Sequence, residues 1–175
     1  DLFTSRYDKG HWQTPIAFPF NTSAKESSIT ITPDGKEMIF VRKAKGKSSQ
    51  LWYSTLQKDS SWSSPKTFVL DTPYDEETPY FHADGNTLFF SSKGEETMGG
   101  YDILMAKRID GVWQRPQNLG YPLNSAKDEI GFVVNAKGDK AHYSTLKAEG
   151  QGGQDLYRVE LDPQLISSEM KLVTG

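Results

Sequence analysis

The sequence contains no cysteine, which excludes disulfide bridges, thiolate chemistry and cysteine-ligated zinc. It also lacks any apolar stretch approaching the ~20 residues that a membrane-spanning helix needs. Neither sign of charge dominates, because 20 Lys and Arg residues stand against 23 Asp and Glu residues. The charge balance therefore gives no reason to expect nucleic acid or an anionic membrane surface as a partner.

What the chain does contain is a large number of turn formers and aromatic residues. Among its 175 residues are 15 Gly and 9 Pro, and 12% of the residues are aromatic. This composition, with only short apolar runs, favours an all-β chain rich in turns over a helical bundle or a disordered chain. The length suffices for one substantial core.

Three sequence markers recur in a fixed order. Trp12, Trp62 and Trp113 each open a segment that ends in Pro, and they lie 50 and 51 residues apart. A turn marker occurs as Asp34-Gly35, Asp84-Gly85 and Lys137-Gly138, each followed by an apolar run. A polar-apolar pair occurs at Asp1-Leu2, Gln50-Leu51, Asp102-Ile103 and Asp155-Leu156. The sequence is therefore an internal repeat of about 50 residues.

Each repeat reads as four short strands separated by turns, and the second strand is continuously apolar. In the first full repeat the predicted strands are residues 29–32, 37–41, 51–56 and 62–69. A strand that is apolar on both sides is typical of the middle of a sheet packed between two other sheets. The repeat therefore predicts an all-β propeller with four-stranded antiparallel blades, of which about three and a half are present. The predicted units are residues 1–26 (the second half of a blade), 27–77, 78–129 and 130–175 (the last blade and an exit segment).

Three segments carry a family resemblance: Gly99-Gly100-Tyr101-Asp102-Ile103, Gly152-Gly153-Gln154-Asp155-Leu156, and residues 119–125 between two repeats. They resemble the TolB-type (WD-like) β-propeller repeat, in the variant found in envelope proteins with an OmpA-like peptidoglycan-binding domain. The resemblance spans nearly the whole chain, but residues 46–51 lack the double glycine and the last repeat lacks the Trp-to-Pro segment.

The resemblance implies a non-catalytic scaffold in the periplasm, at the periphery of the outer membrane. It implies a peptidoglycan-linked complex associated with type IX secretion, in which the chain binds other proteins, needs no cofactor and meets the membrane only indirectly.

Propeller geometry predicts where a site would lie, because the loops between blades and the loops between second and third strands share one face. On that upper face the sequence places Glu26, Glu76 and Glu129, each preceded by an Asn or Asp five residues upstream. A ring of such groups could hold a cation, a peptide amine or sugar hydroxyls. The favoured interpretation is structural, since such side chains at turns usually satisfy backbone N–H groups.

The upper loops differ in charge from one repeat to the next, which is typical of a partner-specific face. The predicted interaction face consists of Arg42, Lys43, Lys45, Lys47, Tyr74, Asp75, Glu76, Glu95, Glu96 and Glu129. Tyr74 is the expected anchor, because aromatic side chains dominate interface energetics.

An enzyme is the alternative. Residues 5–12 loosely resemble the Asp-box turn of sialidase propellers, so a segment of a glycan-binding or sialidase-like glycoside hydrolase stays open. Such chemistry needs convergent arginines, and only Arg42 is expected near the axis on the upper face. The three His residues have no ligand-like spacing, and no Gly-x-Ser-x-Gly segment occurs. We therefore expect no catalysis, no metal and no cofactor.

The chain begins with Asp rather than Met, which suggests a processed product or an excised piece. An arc of three and a half blades would have open sheet edges, which proteins avoid. We expect a ring of about six or seven blades, within the known range of ~4 to 8. The edges at residues 1–6 and 170–173 would then be covered by another chain, by a second copy or by the rest of the parent polypeptide.

Overall fold

The computed structural model describes residues 1–147, 150, 152–162 and 165. Within them the regular elements are antiparallel strands arranged in successive sheets. No helix in these residues is long and apolar enough to cross a membrane.

Sheet 1 is a two-stranded hairpin near the start of the chain. Strand β1 (Phe3–Thr4) pairs with β4 (Ile16–Ala17), and β2 (Tyr7–Asp8) pairs with β3 (His11–Trp12).

Sheets 2, 3 and 4 follow in chain order, and apart from the last strand of sheet 3 the strand neighbours are also neighbours in sequence. Sheet 2 contains β5 (Lys25–Ile31), β6 (Glu37–Lys43), β7 (Ser49–Thr55) and β8 (Lys66–Thr67). Sheet 3 contains β9 (Glu76–Phe81), β10 (Thr87–Ser92) and β11 (Asp102–Ile109), with β12 (Val112–Trp113) and β13 (Gln117–Asn118) both paired to β11. Sheet 4 contains β14 (Ile130–Val134), β15 (Lys140–Thr145) and β16 (Asp155–Glu160).

The turn between β5 and β6 shows why the Asp-Gly marker recurs. The Thr32 hydroxyl donates to Asp34 at 2.7 Å, and the same carboxylate accepts the Lys36 N–H at 3.1 Å. Gly35 follows with a φ of 73°, in the left-handed region that glycine adopts without steric cost. The Asp-Gly marker therefore recurs because a tight turn at the lower face needs these residue types.

The core lies between sheets, so the second strand of a sheet is buried on both sides. In β6, Met38 and Phe40 pack with Leu2 and Phe18 of the sheet 1 region. The alternate residues of β6 pack instead against sheet 3, in a cluster that includes Phe90. The prediction of both-face burial is confirmed, and with it the all-β propeller fold.

The first strands start earlier than the turn pattern alone predicts. β5 begins at Lys25 rather than at Ile29, and its pairing with β6 shifts between Ser27 and Thr30. Ser28 has a φ of 49° at this irregularity, and Thr78 has a φ of 47° at the equivalent place in β9. The unit boundaries remain predictions, and residues 170–173 of the predicted open edge lie outside the described residues.

Candidate interaction face

The loops alternate between two faces because neighbouring strands are antiparallel. The upper face gathers the loops that connect sheets, residues 68–75 and 119–129, and the loops after the second strands, residues 44–48 and 93–101. The lower face gathers the Asp-Gly turns.

An Asn or Asp side chain in each loop before a first strand binds the backbone of a third strand. Asn21 accepts the Leu2 N–H at 3.0 Å and donates to the Leu2 carbonyl at 2.8 Å. Asn124 does the same for Ile103, at 2.8 and 2.9 Å. Asp71 accepts the N–H of Leu51 at 2.7 Å. These residues hold the loops against the sheets, so the structural interpretation of the polar ring is confirmed.

The three glutamates of the ring are buried because they, too, bind the connecting loops, as hydrogen-bond acceptors. Glu26 accepts the N–H and the hydroxyl of Thr22, four residues upstream, at 3.1 and 2.6 Å. Glu129 accepts the N–H and hydroxyl of Ser125 at 3.0 and 2.6 Å. The Thr72 hydroxyl donates to Glu76 at 2.5 Å.

Each glutamate also faces the residue sixteen positions later, at the end of a second strand. We call each set of three side chains a corner. Corner 1 is Asn21, Glu26 and Arg42; corner 2 is Asp71, Glu76 and Ser92; corner 3 is Asn124, Glu129 and Thr145.

The prediction that Glu76 and Glu129 belong to an exposed interaction face is wrong. Both side chains are 0% exposed, because the connecting loops fold over them and use their oxygens as hydrogen-bond acceptors. Neither group can meet a partner from solvent without passing the loop that covers it.

Arg42 is also not a free docking residue. Its Nε donates to Glu26 at 2.9 Å, and another guanidinium nitrogen donates to the Phe20 carbonyl at 2.7 Å. Its guanidinium lies 4.4 Å from the centre of the Trp52 ring. The side chain is only 12% exposed, so its charge neutralises the buried Glu26 within corner 1.

Corner 2 holds acidic groups without such a cation. Burial raises the pKa of Asp71 to about 6. Burial raises the pKa of Glu76 to about 8, against the opposing hydrogen bonds from Thr72 and Ser92. The charge on Asp71 adds to this rise. Glu76 Oε2 is buried and has no hydrogen-bond partner among the described residues.

The basic loop after β6 is exposed at Lys43, Lys45 and Lys47. Asp75 accepts the Ser49 N–H at 2.7 Å and binds the Lys43 ammonium at 3.0 Å. These bonds, first of all the one from Ser49, hold the pKa of Asp75 below its ordinary value. Asp75 therefore fastens the loop between sheets 2 and 3 to the basic loop.

Tyr74, Glu95 and Glu96 come together on the other side of that loop. The Tyr74 hydroxyl donates to Glu95 at 2.7 Å, which raises the pKa of the phenol. Glu96 forms an ion pair with Arg115 of the following segment.

These side chains border a cleft between the connecting loop, residues 68–75, and sheet 3, with a volume of about 420 Å³. Thr72 and Ser92, which bind Glu76, are among its lining residues, and we call these two its floor. The sequence predicted Tyr74, Glu95 and Glu96 but missed Ser92 and Arg115, although the sixteen-residue offset between Glu76 and Ser92 was a usable signal.

The double glycine of the resemblance has a steric role. A side chain at Gly99 would collide with the backbone of Ala126, and one at Gly100 would collide with Asp128. Asp102, which follows, accepts the Met98 N–H at 2.6 Å. The motif therefore allows two upper loops to approach each other closely.

No metal centre is built by the described residues, since they contain no group of three or more His, Asp or Glu side chains that could hold an ion. His82 is buried and lies 3.1 Å from the Asn135 carbonyl, with a structural role, as the sequence predicts.

Two TolB proteins are among the solved structures that resemble this fold. TolB from Acinetobacter baumannii superposes with a TM-score of 0.54 at 17% identity, over 77% of this chain and 29% of that chain. The putative TolB from Agrobacterium tumefaciens superposes with a TM-score of 0.59 at 14% identity, over 92% of this chain and 57% of that chain. The chain thus spans less than two thirds of either protein.

No protein-family model matches the sequence, and no curated protein matches it. At these identities the structural likeness concerns the fold alone. The chain has a TolB-like β-propeller fold.

Proposed function

We propose that this chain is a non-catalytic protein-interaction module that binds its partner through the upper face. The observation that carries the proposal is the contrast between equal sheets and unequal loops. Sheets 2 and 3 share strand order and corner construction, yet one upper loop carries Lys43, Lys45 and Lys47 and the other carries Glu95 and Glu96. Such variation on a constant scaffold is what partner recognition requires.

The state of Arg42 supports a non-catalytic role. This residue was the candidate to clamp a substrate carboxylate in a sialidase-like site, and Glu26 already occupies its guanidinium. No observation among the described residues favours the glycan-processing alternative.

The repeat motif supports the proposed compartment. The resemblance to envelope proteins with OmpA-like domains supports a periplasmic module at the outer membrane, within a peptidoglycan-linked complex. In this role the chain acts as a scaffold.

The proposal is tested by capturing the partner with the parent protein in its native cells. Tyr74→Ala/Glu95→Gln changes the upper face, and Lys36→Ala/Asn86→Ala is the matched control on the lower turns. We expect the upper variant to lose at least roughly fivefold in partner recovery, since truncating an interface anchor typically costs 1 kcal/mol or more. Equal losses, or a loss confined to the lower variant, would contradict the proposal, provided that both variants keep the native circular dichroism spectrum.

Exposed apolar side chains on sheet 1 support a second surface of contact with a covering chain or segment. Trp12 and Ile16 are 72% and 69% exposed on its outer surface, and Phe3 and Tyr7 are exposed beside them. An apolar surface of this kind is typical of an interface. We propose that another chain, a second copy or the remainder of the propeller covers it, and light scattering that finds a stable 19.6 kDa monomer would count against a second copy.

A further inference from the structure

Corner 2 combines a buried acid with an opening to the surface. Glu76 is 0% exposed, and its Oε1 accepts hydrogen bonds from Thr72 and Ser92 at 2.5 and 3.2 Å. Both donors line the cleft between the connecting loop and sheet 3. The carboxyl group therefore lies directly behind the floor of the cleft, separated from it by one layer of hydroxyl groups.

Corner 1 shows how the same scaffold neutralises the same carboxyl group. There the residue sixteen positions after the glutamate is Arg42, and its guanidinium binds Glu26 at 2.9 Å. Among the described residues Glu26 Oε2, like Glu76 Oε2, has no hydrogen-bond partner, but the charge of Glu26 is balanced by Arg42. In corner 2 the equivalent residue is Ser92, whose short side chain supplies no charge.

The cleft has the shape and surface that an arginine side chain needs. Its walls include Leu70, Leu104 and Pro116, which suit an aliphatic stem, and the Tyr74 ring, which can face a cation. The volume of the cleft, about 420 Å³, exceeds that of one arginine side chain and leaves room for its backbone.

The hydrogen-bonding groups of the floor are acceptors. The hydroxyl groups of Thr72 and Ser92 donate to Glu76, and their oxygens accept the Tyr74 and Gly94 N–H groups at 3.2 and 3.0 Å, so each oxygen offers a ligand one further lone pair. The Glu95 carboxylate accepts a hydrogen bond from the Tyr74 hydroxyl. The lining also contains Arg115, whose charge is paired with Glu96, so Glu95 and the floor oxygens favour a ligand that donates hydrogen bonds and carries positive charge.

We propose that this cleft binds an arginine side chain of a protein partner, whose guanidinium lies over the Thr72 and Ser92 hydroxyls and compensates the charge of corner 2 across them, where Arg42 compensates corner 1 by direct contact. The proposal rests on the protein-interaction function and names the chemistry of the partner. The partner's arginine would enter between the loops that carry Tyr74 and Glu95.

Binding of the partner's arginine should be coupled to the release of a proton and should therefore depend on pH. Glu76 has a pKa of about 8, so near neutral pH it is mostly protonated, and a bound cation favours its ionised form. Affinity should therefore rise with pH between 6 and 8.5, with release of a proton. The other charged groups around the carboxyl are Asp71 and Asp75 on the connecting loop and Glu95, Glu96 and Arg115 at the rim. Of these, Asp71 titrates near 6, so a rise centred near 8 identifies Glu76.

The experiment titrates the folded protein with the peptide Ac-Ala-Ala-Arg-Ala-Ala-amide and follows backbone amide signals by nuclear magnetic resonance. A citrulline peptide keeps the shape but removes the charge, and free butylguanidine tests whether the peptide backbone contributes. We expect the arginine peptide to shift the amides of Thr72, Tyr74, Gly94 and Thr97 and to bind at least roughly threefold more tightly than the citrulline peptide, as one weakly screened charge pair supplies.

Two variants make the test specific. Ser92→Arg supplies corner 2 with its own guanidinium and should abolish the shifts. Glu95→Gln should weaken binding two- to fivefold. Glu160→Gln, an exposed control with the same charge change on β16, should leave affinity unchanged.

Equal binding of the citrulline peptide, unchanged binding by Ser92→Arg, or an absence of shifts in the folded wild-type protein would each overturn the proposal. If butylguanidine binds as well as the peptide, the cleft is a small-cation site rather than a partner site, which also overturns it. Any of these results would leave the proposed interaction function uncontradicted, provided that the Tyr74→Ala/Glu95→Gln protein still shows reduced recovery of its native partner in the capture experiment.

Discussion

Corners 1 and 2 are built in the same way, but they treat the charge of the buried glutamate differently. In each, a loop hydroxyl and a residue of the second strand bind a buried glutamate. Corner 1 pairs the glutamate with Arg42 and uses the neutral Asn21 beside it. Corner 2 has only hydroxyl groups around Glu76 and places the acidic Asp71 nearby.

The difference shows that the repeat conserves hydrogen-bond geometry while charge varies freely. Corner 3 supports this conclusion, because Glu129 is satisfied at both oxygens by Ser125 and Thr145 without a cation. In corner 2 the raised pKa of Glu76, about 8, keeps its proton bound near neutral pH, so this acid is tolerated without a cation.

The largest expected effect comes from removing the cation of corner 1. Arg42→Met keeps the stem that packs near Trp52 but leaves Glu26 buried and unpaired. We expect the free energy of unfolding to fall by about 3 to 5 kcal/mol. The measurement is urea unfolding at pH 7, with an unchanged slope as the sign of a comparable transition.

The matched control is Ser92→Ala in corner 2, which removes one hydrogen bond and should cost about 1 kcal/mol. Adding Glu26→Gln to Arg42→Met should recover part of the loss, since the buried charge disappears. Similar losses in Arg42→Met and Ser92→Ala would show that charge compensation does not distinguish the two corners.

The next effect is the pH dependence of corner 2. The folded pKa of Glu76, about 8, is above its ordinary value of 4.5, so the folded state binds the proton more tightly than the unfolded state. Stability from this group is therefore complete below pH 4.5 and is lost as the pH rises through 8. Glu76→Gln should remove this dependence.

At pH 8.5 the Glu76→Gln protein should exceed the wild type by on the order of 2 to 4 kcal/mol, since one pKa unit corresponds to about 1.4 kcal/mol. Thermal or urea unfolding from pH 5 to pH 9 measures the effect. In contrast, Glu26→Gln should destabilise the protein, because it leaves Arg42 unpaired. This assignment would be contradicted if the stability of the wild type rose between pH 5 and pH 8 in parallel with that of the Glu76→Gln variant.

The smallest effect concerns Asp71, which stands where the other corners have Asn. Burial raises its pKa to about 6, so its ionised form destabilises the fold above that pH. Asp71→Asn should stabilise the protein at pH 7 by about 0.5 to 1.5 kcal/mol, since the amide can also donate to the Leu51 carbonyl. The gain should shrink below pH 4, and the reciprocal Asn21→Asp should be destabilising at pH 7. An equal gain at both pH values would exclude ionisation as the cause.

The sequence predicts the repeat well because turn chemistry and strand burial are local. The Asp34-Gly35 turn and the apolar run of β6 each require particular residue types at fixed positions. Their recurrence leads to a propeller without knowledge of any contact between sheets. The bulges at Ser28 and Thr78 escaped prediction because neither residue type favours a positive φ.

By itself, the sequence determined the all-β fold, the number of repeats and the loops that form the upper face. Only the tertiary structure decided which polar side chains of that face are available. Glu76 and Glu95 are equally acidic in the sequence, yet loop closure buries Glu76 behind Thr72 and leaves Glu95 exposed. Burial depends on how the connecting loop closes over Glu76 against the end of β10, and a periodic pattern specifies the position of a residue along the chain but not what covers it.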